Sequence, residues 1–122
     1  MWLTVGVALA SGLGSVARYA LDRAVACRLG RAFPYSTLLI NVTGSFMLGL
    51  TLGWSMHHGL ASGPTLLIGT GFAGGYTTLS TWAWETLMLA REGRRLRALA
   101  NVLASISAGL LATAAGLGLA LL

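Results

Sequence analysis

The sequence predicts an all-α integral membrane protein of four transmembrane helices, the third of them broken. Three observations lead there. Apolar residues make up 56% of the 122 and charged residues 9%, against about 25% charge in a soluble domain. The charges are also confined, with none in residues 1–17, 32–84 or 98–122. Finally, 17 glycines are too many for a coiled coil, and they follow no collagen period. Together these exclude a water-soluble enzyme, a disordered tail and a disulfide-rich secreted module.

A hydrocarbon core about 30 Å thick takes roughly 20 apolar residues as helix. The first charge-free run is expected to form one span, about Trp2–Leu21, with Arg18 near its end. It lacks a basic region ahead of the apolar stretch, so it does not read as a cleaved signal. A loop is expected over Asp22–Tyr35, holding Arg23, Arg28 and Arg31, with Pro34 before the next helix. The charge-free run 32–84 accommodates two spans, about Ser36–Met56 and Thr65–Ala90, joined by a turn at His57–Pro64. Arg91–Arg97 is a basic loop, and Ala98–Leu122 is the fourth span. The whole chain reads as one transmembrane domain, with no linker and no convincing repeat.

Orientation follows from the arginines. All eight basic residues are arginine, and they sit in the first and third loops or at the loop end of span 1. Cytoplasmic loops collect Lys and Arg, so both termini are expected outside. The pI near 10.8 therefore reads as topology, not as nucleic-acid binding. The lone Cys27 has no partner for an internal disulfide. His57 and His58 are adjacent, so they diverge and make a poor metal pair.

Span 3 is the odd element. Gly69, Gly71, Gly74 and Gly75 precede Tyr76, Thr77 and Thr78, poor sequence for a continuous helix. At membrane depth a break is tolerated only where protein or a watery cavity satisfies the freed backbone, and such breaks commonly bind ions. The alternative is that the glycines merely permit tight packing.

Polar residues inside the spans carry paired readings. Asn41 is either interhelical glue or a donor to a passing anion. Asn41 and Ser45 share a helix face, as do Asn101 and Ser105. Thr77, Thr78, Ser80 and Thr81 offer hydroxyls to a pore or to their own backbone. Glu85 is the one carboxylate within a span, either functional or paired to an interfacial arginine. Arg18 is an interfacial anchor or the cation of an anion-attracting vestibule. No Ser-His-Asp set, carboxylate pair or nucleotide loop is present, so an enzyme is not expected.

Three stretches then resemble one family. Phe33–Phe46 (FPYSTLLINVTGSF) is similar to the second-helix signature of the Fluc, or CrcB, fluoride channels. Gly14–Arg18 (GSVAR) resembles their first-helix GxxxR, and Gly69–Trp82 (GTGFAGGYTTLSTW) their broken third helix. Glu85 falls where members often carry a glutamate. The resemblance implies a passive, fluoride-selective channel that exports fluoride from the cytoplasm of bacteria or other microbes through the plasma membrane. It implies an antiparallel dimer with two narrow pores and a structural sodium ion (Na+) held by the backbone carbonyls of Gly74 and Thr77. It places Asn41, Ser105 and the hydroxyls of Thr78, Ser80 and Thr81 on the fluoride pathway, and Arg18 in the vestibule. Two ring edges of helix 3 serve the anion in the family; here those positions are Leu79 and Trp82. Leu79 has no ring, whereas Trp82 keeps an edge and adds an indole donor.

That departure, with the one-sided arginines, predicts pairing with a second homologous chain of opposite orientation, otherwise a homodimer. Two rival functions remain: a non-conducting partner subunit of such a heterodimer, and a small multidrug-type exporter. The exporter needs a carboxylate in the middle of span 1, and none precedes Asp22.

Overall fold

The computed structural model describes residues 1–122, all helix and connection with no strand. Helix α1 spans Trp2–Leu29 and α2 spans Tyr35–His57. The third span is split: α3 covers residues 62–76 and α4 covers Leu79–Arg91. Helix α5 runs Arg95–Leu119. Helices α1, α2 and α5 are each long and apolar enough to cross a membrane unaided. Neither half of the third span is: α4 has 13 residues, about 20 Å at 1.5 Å per residue, against about 30 Å of hydrocarbon. Only the two halves together can cross, which puts their junction inside the bilayer.

The first loop is shorter than the sequence suggested. Residues 22–29, expected in a loop, continue α1 as helix. Arginine, alanine and leucine are good helix formers whether or not lipid surrounds them, so the charges end the span without ending the helix. At 28 residues α1 measures about 42 Å, and its last turns project beyond the hydrocarbon. Gly30 closes it with φ 71°, its N–H donating to Ala26 O. The opposite end of the third span turns similarly at Gly93, φ 77°. Helix α5 starts three residues before the expected Ala98 and ends three before Leu122.

Only 19 of 122 residues are buried, and the large apolar side chains lie mostly outside. Lipid replaces a hydrophobic core here, so close backbone contact must hold the helices together. Two parallel seams supply it. Where α2 meets α5, a Cβ on Gly49 would strike the Thr113 carbonyl, and one on Gly116 the Phe46 carbonyl. Where α1 meets α3, a Cβ on Gly14 would strike the Phe72 carbonyl, and one on Gly75 the Ser11 carbonyl. Small residues at these four points let the backbones touch, the gain a membrane helix pair depends on.

Gly75→Ala is therefore expected to destabilise the fold. The added methyl meets backbone on all sides: Ser11 C and Cα both lie 2.8 Å from it, so α1 itself must move. Overpacking of this kind costs about 1–3 kcal/mol. The check is thermal unfolding of the purified variant in detergent, where a fall in Tm is expected; an unchanged Tm would mean the seam is slack.

The basic ends lie together. Arg94 and Arg97 both donate to the Ala32 carbonyl, so the connection after α1 and the turn before α5 share one end of the bundle. At the other end His58 Nε2 donates to the Ala120 carbonyl at 2.8 Å.

Candidate anion site at the third-helix break

Helix α3 does not unwind at its glycines. Residues Leu66–Ala73 are wound as a π-helix, and Gly74–Tyr76 finish as an α-turn. This corrects the expectation that the glycine run itself unravels. Its physical reason is the seam with α1: Gly71 and Gly75 press against Val7, Ala10 and Ser11, and that contact offsets their poor propensity. A π-turn is wider than an α-turn and recurs at functional sites. The break comes next. Thr77 has ψ 160°, and Thr78 has φ −147° and ψ 123°, both extended, before α4 begins at Leu79.

Freed peptide groups in a membrane need partners, and three side chains provide them. Asn41 of α2 bonds Thr78 twice: its Nδ2 donates to Thr78 O at 2.9 Å, and Thr78 N donates to its Oδ1 at 2.8 Å. Arg18 Nη1 donates to Thr77 O at 3.3 Å. Ser15 Oγ donates to Gly75 O at 3.2 Å. The Tyr76 and Thr43 hydroxyls share a bond of 2.8 Å. Gly44 completes the fit, since a Cβ there would collide with the Thr77 methyl.

Asn41 thus engages its donor on the backbone of the break. Arg18 points inward to a carbonyl and does not merely anchor at the interface. With Thr78 N–H turned to Asn41, the Gly74 carbonyl is left without its usual i+4 partner. The Thr77 hydroxyl donates to Ala73 O at 2.9 Å, so it serves its own helix. Thr78 caps α4: its Oγ1 accepts from Thr81 N and donates to Thr81 Oγ1, and it lies 3.4 Å from Ser80 Oγ. The result is a helix N-terminus, partially positive by its dipole, ringed by hydroxyls.

That terminus opens on a polar cleft of about 290 Å³ lined by Arg18, Asp22, Arg31, Thr78, Thr81 and Glu85, among others. A second cleft of about 400 Å³ shares Arg31, Thr81 and Glu85 and leads to Arg94 at the basic end. Asp22 is tied by Ser36 at 2.6 Å and by Arg31 at 3.2 Å. Glu85 makes no ion pair within the chain, and its Oε2 is buried without a partner. Leu79 is 75% exposed and turns away from the other helices. Trp82 and Ser105 line neither cleft; Trp82 Nε1, Ser105 Oγ and Asn101 Oδ1 are all buried without partners.

Ser15, Thr37, which also lines the smaller cleft, and the Asp22–Ser36–Arg31 cluster were not anticipated by sequence reasoning. The helical spacing of Ser15, Arg18 and Asp22 is the signal that places them on one face, but it is legible only once α1 is known to continue past Leu21.

These features define a class: a multi-pass membrane protein whose third span is interrupted beside a polar cleft that holds both arginines and carboxylates. Comparison places the chain more closely. It belongs to the CrcB family, whose profile, described as CrcB-like protein, Camphor Resistance (CrcB), matches residues 5–117. A Mycobacterium tuberculosis protein named fluoride-specific ion channel FluC 2 is 46% identical over 112 residues, covering 92% of this chain and 86% of the relative. A Leifsonia xyli protein named fluoride-specific ion channel FluC 1 is 46% identical over 118 residues, 96% and 84% of the two chains. One from Bradyrhizobium diazoefficiens named FluC 2 is 42% identical over 119 residues, 95% and 87%.

Proposed function

We propose that the protein is a fluoride-selective channel that lets fluoride leave the cytoplasm of a bacterial or other microbial cell down its gradient. The observation that carries this is the break at Thr77–Thr78. It sets a half-helix N-terminus, the Thr78 and Thr81 hydroxyls and the Arg18 guanidinium around one cleft at membrane depth. Fluoride is small and strongly hydrated, so a path for it must replace water with close donors, and hydroxyl and N–H groups do so. The fixed charge of Arg18 raises the local anion concentration. Names of relatives at 42–46% identity support the same reading. The pathway runs past Asn41, Thr78, Ser80, Thr81, Leu79, Trp82 and Ser105.

The chain works as half of an antiparallel pair, with both termini outside and the basic end in the cytoplasm. Leu79 and the carbonyls at the break then face a second chain. The donor chemistry suits sodium: hard carbonyl oxygens hold hard cations, and the Gly74 carbonyl has lost its helical partner. Gly74 and Thr77 of two chains would supply four such oxygens, with Thr77 O shared with Arg18. The ion would fasten the two breaks together.

The second reading is a partner subunit that completes another chain's pore without conducting through its own. Exposed Leu79, without the ring edge an anion uses, favours it. Fluoride efflux from liposomes separates the two. Robust efflux with this chain alone supports the channel and removes the need for a second gene product. Efflux only with a co-expressed homologue supports the partner role. No efflux in either preparation would overturn the fluoride reading.

A further inference from the structure

Three arginines at the basic end have no acid to answer them. The chain holds three acidic side chains. Asp22 is paired with Arg31 and Glu92 with Arg94, and Glu85 lies within a span. Arg23 lies over the Tyr19 ring and donates to its hydroxyl, and Arg97 donates to Ala32 O. Arg28, Arg91 and Arg95 are exposed and make no side-chain hydrogen bond or ion pair within the chain.

Two of the three belong to one surface. Helices α4 and α5 are antiparallel, joined by the tight turn at Glu92–Arg94, and where they touch Asn101 Nδ2 donates to Thr86 Oγ1 at 2.8 Å. Each residue turns about 100° round a helix. Arg91 therefore lies about 140° round α4 from Thr86, and Arg95 about 120° round α5 from Asn101, in the same sense. Because the two helices run in opposite directions, equal turning brings both arginines to the same side of the pair. Toward the middle of the membrane an apolar row continues from each on that side: Leu87 and Trp84 on α4, Leu99 and Ile106 on α5, all exposed. The face is two guanidiniums at the membrane surface, heading two apolar rows that reach into the hydrocarbon.

We propose that this α4–α5 face is a seat for one anionic diacyl phospholipid, its phosphate held by Arg91 and Arg95 and its chains laid on the two rows. A guanidinium matches phosphate oxygens with a planar fork, and a phosphate shared by two of them relieves their mutual repulsion. A headgroup with net negative charge complements two unanswered cations, whereas a choline headgroup brings a third cation. The inference goes beyond the channel reading and does not depend on conduction. General attraction of a basic end for a negative leaflet counts charges; the seat needs these two guanidiniums and the rows beside them. Arg28 is equally free of partners but belongs to α1. A lipid so held ties α4, which is too short to cross alone, to the leaflet at its basic end.

The test is native mass spectrometry of the full chain, released from detergent micelles that carry equimolar phosphatidylglycerol and phosphatidylcholine of identical acyl chains. The retained lipid is expected to be phosphatidylglycerol by about tenfold or more. Arg91→Gln together with Arg95→Gln should bring that ratio to within about twofold of unity, and Arg28→Gln should leave it unchanged. Arg91→Lys together with Arg95→Lys should keep part of the preference, which separates lost charge from lost structure. Glycerol phosphate in excess should not displace the lipid. Equal retention of the two lipids overturns the seat. So does a loss with Arg28→Gln as large as with the double glutamine variant, which would mean attraction by charge count alone. Displacement by glycerol phosphate would make this a bare phosphate site, and exclusion of both lipids would mean that a second chain covers the face; either result also overturns the seat.

Discussion

Asn41→Ala is expected to eliminate fluoride efflux from liposomes while the protein still inserts. Alanine leaves the Thr78 N–H and C=O, both bonded to Asn41 at 2.8 and 2.9 Å, with no partner in the helix bundle. Each buried unsatisfied group costs about 1–3 kcal/mol. The break therefore loses roughly 2–6 kcal/mol of support. That is enough to let Thr77–Thr78 rewind or swing out, and the α4 N-terminus leaves the cleft with them. At about 1.4 kcal/mol per tenfold change, a loss of about 30-fold or more in flux is expected. Asn41→Asp is a sharper control. The carboxylate still accepts from Thr78 N but faces Thr78 O with a second acceptor and sets a negative charge where an anion passes. It should be as inactive as the alanine variant. Flux within about twofold of wild type in either variant would show that the amide is only glue.

Arg18→Gln is expected to lower fluoride flux by about 10–100-fold at low ionic strength, with the difference narrowing as salt is added. Arg18 is the guanidinium that touches the break, 3.3 Å from Thr77 O, and it lines the cleft that Thr78 and Thr81 border. A charge in such a low-dielectric cleft concentrates the opposite ion by about 10–10³-fold. Salt screens that field beyond about 10 Å at 0.1 M. Glutamine retains a donor for the Thr77 carbonyl, so it removes charge more than structure. Arg18→Lys should recover part of the flux, since the charge returns without the reach of the guanidinium. The measurement is efflux across a range of potassium sulfate concentrations. A flux deficit that ignores ionic strength would assign Arg18 to holding the break, not to drawing anions in.

The two residues divide the labour of one device. Helix α2 brings Asn41 from one side, and α1 brings Arg18 and Ser15 from the other. Between them every exposed peptide group from Gly75 to Thr78 except the Tyr76 carbonyl is held by a named side chain or helix bond. A break so thoroughly clamped is a permanent part of the fold. The Gly14–Phe72 and Gly75–Ser11 contacts serve the same end, because they press α3 onto α1 just where Ser15 must reach Gly75.

Charge position and apolar run length were sufficient to divide the chain into four spans, and the glycine run marked the third as interrupted. Both are properties of the linear chain: a charge inside hydrocarbon is costly wherever the neighbours are, and about 20 residues must cross. The motif stretches around Asn41 and Thr78 pointed to the family on the same terms. Three things depended on how the helices meet. The glycine run stays wound because α1 presses on it, so the opening falls at Thr77–Thr78, a few residues later than glycine content suggests. Asn41 finds its partner on another helix, 37 residues away in sequence, and no local pattern encodes that pairing. Asn101 of α5 finds Thr86 of α4 15 residues away, a pairing that depends on how the two helices lie against each other. Partition into lipid is decided residue by residue along the chain, whereas the pairing of buried polar groups is decided by which backbones lie close enough to share a hydrogen bond.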